Sequence, residues 1–416
     1  MREMKDSGIE WVGTIPAHWS TMPNKYVMRK IKVINPTYNG ENILSLTVNG
    51  VIVRDLEAGG KMPSSFDGYQ ILYKGNLLMC LFDYDVTPRC IGLIKDSGVS
   101  SPAYSQFVLQ RGNDAAYFYY YYLMVDHTKA LLHRAKNLRH SFTEEQLGAI
   151  KVPVPPIAEQ ERIADFLDSQ CSQIDAISAD IQKEIETLEQ YKRSLVFEAI
   201  SKGINGEKTA NASSDIWKEI PQSWKLVDIK YLFEIVKRMA GREGYNILSV
   251  TQKGLKVKDI SGNQGQIAEN YSGYQFVFPS DYVMNHMDLL TGWIDCSDQF
   301  GVTSPDYRVF RLRDKTQNDT EYYKYVMQCC YMCRIFYSLG QGVSTLGRWR
   351  LQTSAFMNFK VPVPPLHEQK EIARYLNDKC KEIELSIEQK RKQLELLSSY
   401  KKSLIYEYVT GKKEVI

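Results

Sequence analysis

The sequence lacks any apolar run that approaches a membrane span, and its opening, MREMKDSGIEW, has no apolar signal core. Both absences lead to the expectation of a soluble, cytoplasmic chain. Charge of one sign is scarce: 52 Lys and Arg face 49 Asp and Glu, leaving +3. A role in binding phosphates would therefore need its cations clustered. The eight cysteines do not make a disulfide framework. Cys330 and Cys333 form one CxxC without a second pair, so no metal site is expected. The six histidines show neither HxxxH nor HExxH spacing. NPTY, residues 35–38, lacks the second proline and the upstream glycine-rich loop of an amino-methyltransferase, and reads as a turn. GVSTLGR, residues 342–348, has the glycine spacing of a phosphate loop. Arg348 replaces its lysine and Trp349 its magnesium-binding hydroxyl, so it is not one. No catalytic residue emerges.

What the chain does have is a phrase said twice. Residues 151–160 read KVPVPPIAEQ and residues 360–369 read KVPVPPLHEQ, an offset of 209. Each opens a long run, ending in YKRSLVFEAISKG and YKKSLIYEYVTGK at the same offset. The prolines set an extended entry, and early glutamates suit a helix N-terminus. Apolar residues then recur at steps of three and four. In the first run these are Ile174, Ile177, Ile181, Ile185, Leu188, Tyr191 and Leu195; in the second, Ile383, Ile387, Leu394, Leu397 and Leu404. This is coiled-coil spacing, and Gly203 and Gly411 stop both helices. About 45 residues make a rod of roughly 65–70 Å. Each helix has one apolar stripe, and the expected partner is the other helix. Cys171 and Cys380, at equivalent points, read as small buried residues.

The rest also repeats. IPAHW, residues 15–19, answers IPQSW, residues 220–224; NILSLTVNGVIVRD answers NILSVTQKGLKVKD, with a hairpin at Asn49-Gly50; GVSSPAY answers GVTSPDY. The expected fold class is α+β, with two similar globular domains separated by two long antiparallel coiled-coil helices in a pseudo-two-fold arrangement. The domains are 1–150 and 216–359, the helical regions 151–203 and 360–412, and 204–215 a flexible linker. Tyrosine, at 27 residues, favours binding surfaces.

Framework segments match while the segments between them differ. Residues 80–97 have no likeness to 285–300, nor 135–142 to 340–352. A common scaffold with unlike loops suits two modules that read different targets. These loops supply Arg89, Lys136, Asn137, Arg139 and His140 in the first half, and Gln341, Ser344, Arg348, Trp349 and Arg350 in the second. Arg and Lys suit phosphates, and polar side chains suit base edges; each is equally readable as a surface or scaffold group. Lys253, Lys256 and Lys258 make a basic strand edge that reads as solvated.

On the Pro-rich phrase followed by EQ and a long helix, its YKxSL tail and the IPxxW openings, the chain resembles the specificity subunit of type I restriction-modification systems. The resemblance implies target-recognition domains at a bipartite, asymmetric site on double-stranded DNA. It implies no catalysis in this chain, and partnership with two modification (methyltransferase) subunits and with restriction (translocase and nuclease) subunits. S-adenosylmethionine, ATP and magnesium would then belong to those partners. A scaffold joining two protein-binding domains, or an enzyme with an unrecognised site, are the readings set against it.

Overall fold

A computed structural model describes residues 2–57, 63–135, 140–258, 270–342 and 349–415. The chain divides into two compact units. The first comprises Met1–Gln182 with Lys392–Ile416, and the second Lys183–Arg391. Each long helix is continuous, Ile157–Lys202 and Leu366–Val409, and each contributes one half to each unit.

The units are built alike. At the centre of the first is a four-stranded antiparallel sheet in the order Met28–Ile31, Ser105–Leu109, Leu77–Met79, Ile91–Leu93. The second has Phe233–Val236, Arg308–Leu312, Tyr282–Met284, Ile294–Cys296 in the same order. A hairpin accompanies each sheet, Leu44–Thr47 with Gly50–Val53 and Leu248–Thr251 with Gly254–Val257. Gly50 and Gly254 turn it at φ 95° and 94°, a conformation glycine adopts without strain. A 13-residue helix packs on each sheet, Ala115–His127 and Thr320–Met332, started by a carboxylate cap from Asp114 or Asp319.

Nine of the 27 tyrosines lie in these two helices. Tyr117, Tyr121, Tyr322 and Tyr323 are wholly buried, and their hydroxyls find internal partners. Tyr120 donates to Asp168 at 2.6 Å and Tyr325 to Asn377 at 2.8 Å, so each helix is tied to a long helix at a matched point. A buried aromatic ring contributes its area only if its hydroxyl is paired, and here it is.

The repeated phrase has a structural reason. KVPV forms an edge strand, Lys151–Val154 against Ser20–Pro23 and Lys360–Val363 against Lys225–Asp228. The helix starts after the two prolines. Glu159, buried in its first turn, accepts from the Trp19 indole at 2.9 Å and from Arg2 at 2.7 and 3.0 Å, with His18 at 2.9 Å. Glu368 accepts from Trp224 at 2.7 Å. The next residue, Gln160 or Gln369, is also buried. It accepts from the amide of the capping Asp114 or Asp319 at 2.8 Å and donates to the carbonyl of Pro155 or Pro364. The Glu-Gln pair thus joins the opening segment, the sheet-packed helix and the long helix within each unit.

The long helices run antiparallel in both units. In the first, Lys401 pairs with Asp175 at 2.6 Å and Phe166 meets Tyr408. In the second, Lys192 pairs with Glu384 at 2.5 Å, Arg391 with Glu189 at 3.2 Å, and Lys390 with Glu184. Exposed pairs of this kind contribute about 0–1 kcal/mol each, so the apolar seam carries the association. Of the expected seam residues, Ile174, Ile383, Ile387 and Leu404 are buried, while Ile181, Leu188, Leu195, Leu394 and Leu397 are half-buried. Ile185, also in the expected stripe, is buried. Ile177 and Tyr191 depart from the expectation and face solvent, 49 % and 54 % exposed, and Ile405, outside the expected stripe, is buried. Cys171 and Cys380 are both buried.

The segment 204–215 differs from a flexible linker. Thr209–Asn211 pairs with Glu219–Pro221, as Met4–Asp6 pairs with Thr14–Pro16. It is the opening hairpin of the second unit. Gly203 and Gly411 end the long helices at φ 75° and 68°. A Cβ at Gly411 would lie 2.4 Å from Pro16 and 2.9 Å from Trp19, so each helix stop also packs on an IPxxW turn.

Gln369→Leu leaves the Asp319 amide and the Pro364 carbonyl without partners. The expected cost is about 1–3 kcal/mol, read as faster hydrogen exchange at the Asp319 amide with no change at Asp114.

Candidate nucleic-acid interface

In both units the two divergent segments are hydrogen-bonded to each other. In the first, the Phe142 amide donates to Leu81 at 2.8 Å and the Tyr84 amide to His140 at 3.3 Å, with Tyr84 edge-on to Phe142. In the second, the Leu351 amide donates to His286 at 2.9 Å and the Leu289 amide to Trp349 at 3.2 Å. The same two sites on the scaffold therefore present one composite surface per unit, built from unrelated residues. Sequence separation hides this: Leu81 and Phe142 are far apart along the chain.

The predicted residues fare differently. Arg89 donates to the Val48 carbonyl and, at 2.9 Å, to the Tyr119 hydroxyl, fastening the hairpin tip to the helix. His140, at φ 42°, has its Nδ1 3.0 Å from the Asp85 carboxylate. Gln341 and Arg350 exchange backbone hydrogen bonds at 2.9 and 3.0 Å and leave exposed side chains. Trp349 is a scaffold group: its indole donates to Tyr337 at 2.7 Å and stacks on that ring. Lys136, Asn137, Arg139, Ser344 and Arg348 lie outside the described residues. Lys253 and Lys256 are exposed on the second hairpin. In that unit the hairpin is fastened by Asp295, which accepts from the Leu255 amide at 2.8 Å.

Two residues escaped sequence reasoning. Arg308 is buried, and donates to the Leu351 carbonyl at 3.1 Å and to Thr353 at 3.2 Å. Burial lowers its pKa to about 10, so it remains a cation at neutral pH. His286 is pushed down to about 4 by burial and then by Arg308 and Arg350, so its imidazole is neutral and its Nδ1 lacks a partner. The signal for Arg308 was partial: the strand RVFRL holds two arginines, Arg308 and the exposed Arg311, and only Arg308 stands where the matched strand has Ser105. Among the described residues no group of His, Cys, Asp or Glu is arranged to hold a metal, and no helix is long and apolar enough to cross a membrane.

A scaffold duplicated within one chain, each copy presenting a variable two-segment surface, defines a paired recognition module. Comparison with known families specifies the class. The model of the type I restriction modification DNA specificity domain matches residues 65–187 and 221–396, and the chain belongs to this family. Two curated relatives from Methanocaldococcus jannaschii are each 27 % identical. The type I restriction enzyme MjaVIII specificity subunit matches over 64 % of this chain and 63 % of its own length. The putative MjaX specificity subunit matches over 69 % and 64 %. The chain thus spans just under two thirds of either relative. A solved structure from work on complex assembly and conformational transition of the type I R-M system shares the fold. Its TM-score is 0.67 at 13 % identity, covering 96 % of this chain and 99 % of that one.

Arg308→Leu removes the charged tether of the second divergent segment. The expected loss is about 1.5–3 kcal/mol, seen as at least tenfold faster amide exchange at Leu351. Unchanged exchange there would remove Arg308 from this role.

Proposed function

We propose that the chain is a DNA specificity subunit reading a bipartite, asymmetric site on double-stranded DNA, one half-site per unit. The observation that carries the reading is the pairing of the two divergent segments at matched places on a duplicated scaffold. Family membership supports the same reading. His140, Gln341 and Arg350 are candidates for base or phosphate contacts, together with Lys136, Asn137, Arg139, Ser344 and Arg348 of the same loops; Arg89 and Trp349 support them. The chain itself performs no chemistry. Two modification subunits would supply methyl transfer with S-adenosylmethionine, and restriction subunits would supply ATP- and magnesium-dependent cleavage. The continuous helices set the length of the unread spacer between half-sites.

The purified chain is expected to transfer no methyl group from labelled S-adenosylmethionine to DNA, and to direct sequence-specific transfer once the modification subunit is added. Methylation by the chain alone would overturn the reading. A second test lengthens both rods. Seven residues inserted at 182/183 and again at 391/392 keep the heptad register and add about 10 Å. Sequencing of methylated bases is expected to return the same two half-sites with a spacer about three base pairs longer, at 3.4 Å per pair. Altered half-sites with an unchanged spacer would show that the helices do not measure it.

A further inference from the structure

The first unit contains a cleft that the reading above does not use. It has a volume of about 330 Å³, the lower end of the range of small-ligand sites, and lies between the hairpin tip, the end of the Ala115–His127 helix and the two long helices. Arg89, Asp126, His127, Asp175, Lys401 and Lys402 give it its polar lining, and Leu123, Ile174 and Leu394 an apolar wall.

Its charges do not cancel. Asp126 is held by Lys129 at 2.7 Å and by the Cys90 amide at 2.9 Å. Asp175 is held by Lys401 at 2.6 and 2.7 Å. That leaves Arg89 and Lys402 without a carboxylate partner among the described residues. The Nε of Arg89 is buried and donates to nothing, which is costly for a charged donor unless an acceptor arrives. His127, exposed at the end of its helix, completes the lining. Desolvation, and then Lys402, depress its pKa to about 4, so it meets a ligand as a neutral donor or acceptor.

The second unit keeps the charges of the long helices, Lys192 for Lys401, Arg193 for Lys402 and Glu384 for Asp175 at the 209-residue offset, and differs in the rest of the lining. Ile91 and Ile294 occupy the same ladder position, so Arg89 corresponds to Gly292. His127 and Met332 both end the 13-residue helix. Ser178 corresponds to Ile387 at the 209-residue offset, and Ile387 is buried. Arg89 and His127 are therefore what set the first unit's lining apart from the matched positions of the second.

We propose that this cleft binds a phosphate group, clamped between Arg89 and Lys402 with His127 beside it. The geometry admits two sources. One is a backbone phosphate of the DNA read by the first unit, which rests on the proposed function. The other is a free mononucleotide, whose base or sugar would lie on the apolar wall.

The full chain, labelled at histidine Cε1, is titrated with inorganic phosphate and with adenosine monophosphate at low salt. Of its six histidines, the one lost in His127→Gln is expected to shift. Lys402→Gln, an exposed position that leaves the fold intact, is expected to weaken the shift at least tenfold. Tighter binding of the nucleotide than of phosphate identifies the mononucleotide source. For DNA, the slope of log affinity against log salt is measured on random duplexes. Lys402→Gln is expected to lower it by about one if a backbone phosphate sits there, and Lys202→Gln, at the far end of its helix, to leave it unchanged. Failure of the chain to bind any duplex, with the phosphate shift retained, would sink the DNA reading and leave the cleft standing. No shift at His127 with either probe, together with an unchanged salt slope in Lys402→Gln, overturns the proposal.

Discussion

A buried carboxylate at the head of each long helix holds the molecule's parts in register. Glu159 and Glu368 each accept a hydrogen bond from the indole of the tryptophan that closes an IPxxW turn, and the following glutamine accepts from the amide of the capping residue of the sheet-packed helix. A buried charge is tolerated only where donors surround it, and at Glu159 the indole and Arg2 both donate to it. Three segments distant in sequence are thereby fixed at one point. Removing any partner leaves the others desolvated and unpaired, which is a larger penalty than the net contribution of a single hydrogen bond.

That lock explains the pattern of likeness and difference between the units. Its frame repeats: the two prolines, the Glu-Gln pair, the tryptophan, the capping aspartate and the helix-stopping glycine; Arg2 and His18 are particular to Glu159. What lies far from it is free to change. The composite surfaces formed by 81–85 with 140–142 and by 286–293 with 349–351 share no residue chemistry, yet each closes with backbone hydrogen bonds between its two strands of loop. Backbone pairing tolerates almost any side chain, so recognition chemistry can be exchanged on it without rebuilding the fold. The second unit spends an additional buried arginine on its longer segment; the first places an arginine at the hairpin instead.

Much of the fold was legible from residues alone because its signals are local. Helix length, the apolar step of three and four, the Asn-Gly turn and the stop glycines are properties of neighbouring residues, and the duplication made each visible twice. Sequence reasoning failed where a residue's role depends on what the fold brings to it. Tyrosine abundance pointed to surfaces, but a tyrosine's burial depends on the facing helix. Segment 204–215 has a linker's composition, yet its strand partner lies within 219–221. Trp349 looks like a contact residue until its indole donor is found occupied. Ile177 keeps the step of the stripe and still faces water, while Ile174 and Ile185 on either side of it are buried.

The sequence by itself determined that the chain is a duplicated α+β scaffold on two equal helices, and which segments of it vary. Short-range periodicity and an exact internal repeat suffice for that. Only the tertiary structure decided which variable segments share a surface, which of their side chains are committed to holding it, and that a cleft with uncompensated cations opens in the first unit. Those facts depend on hydrogen bonds and charges between residues that sequence separates and folding alone brings within reach.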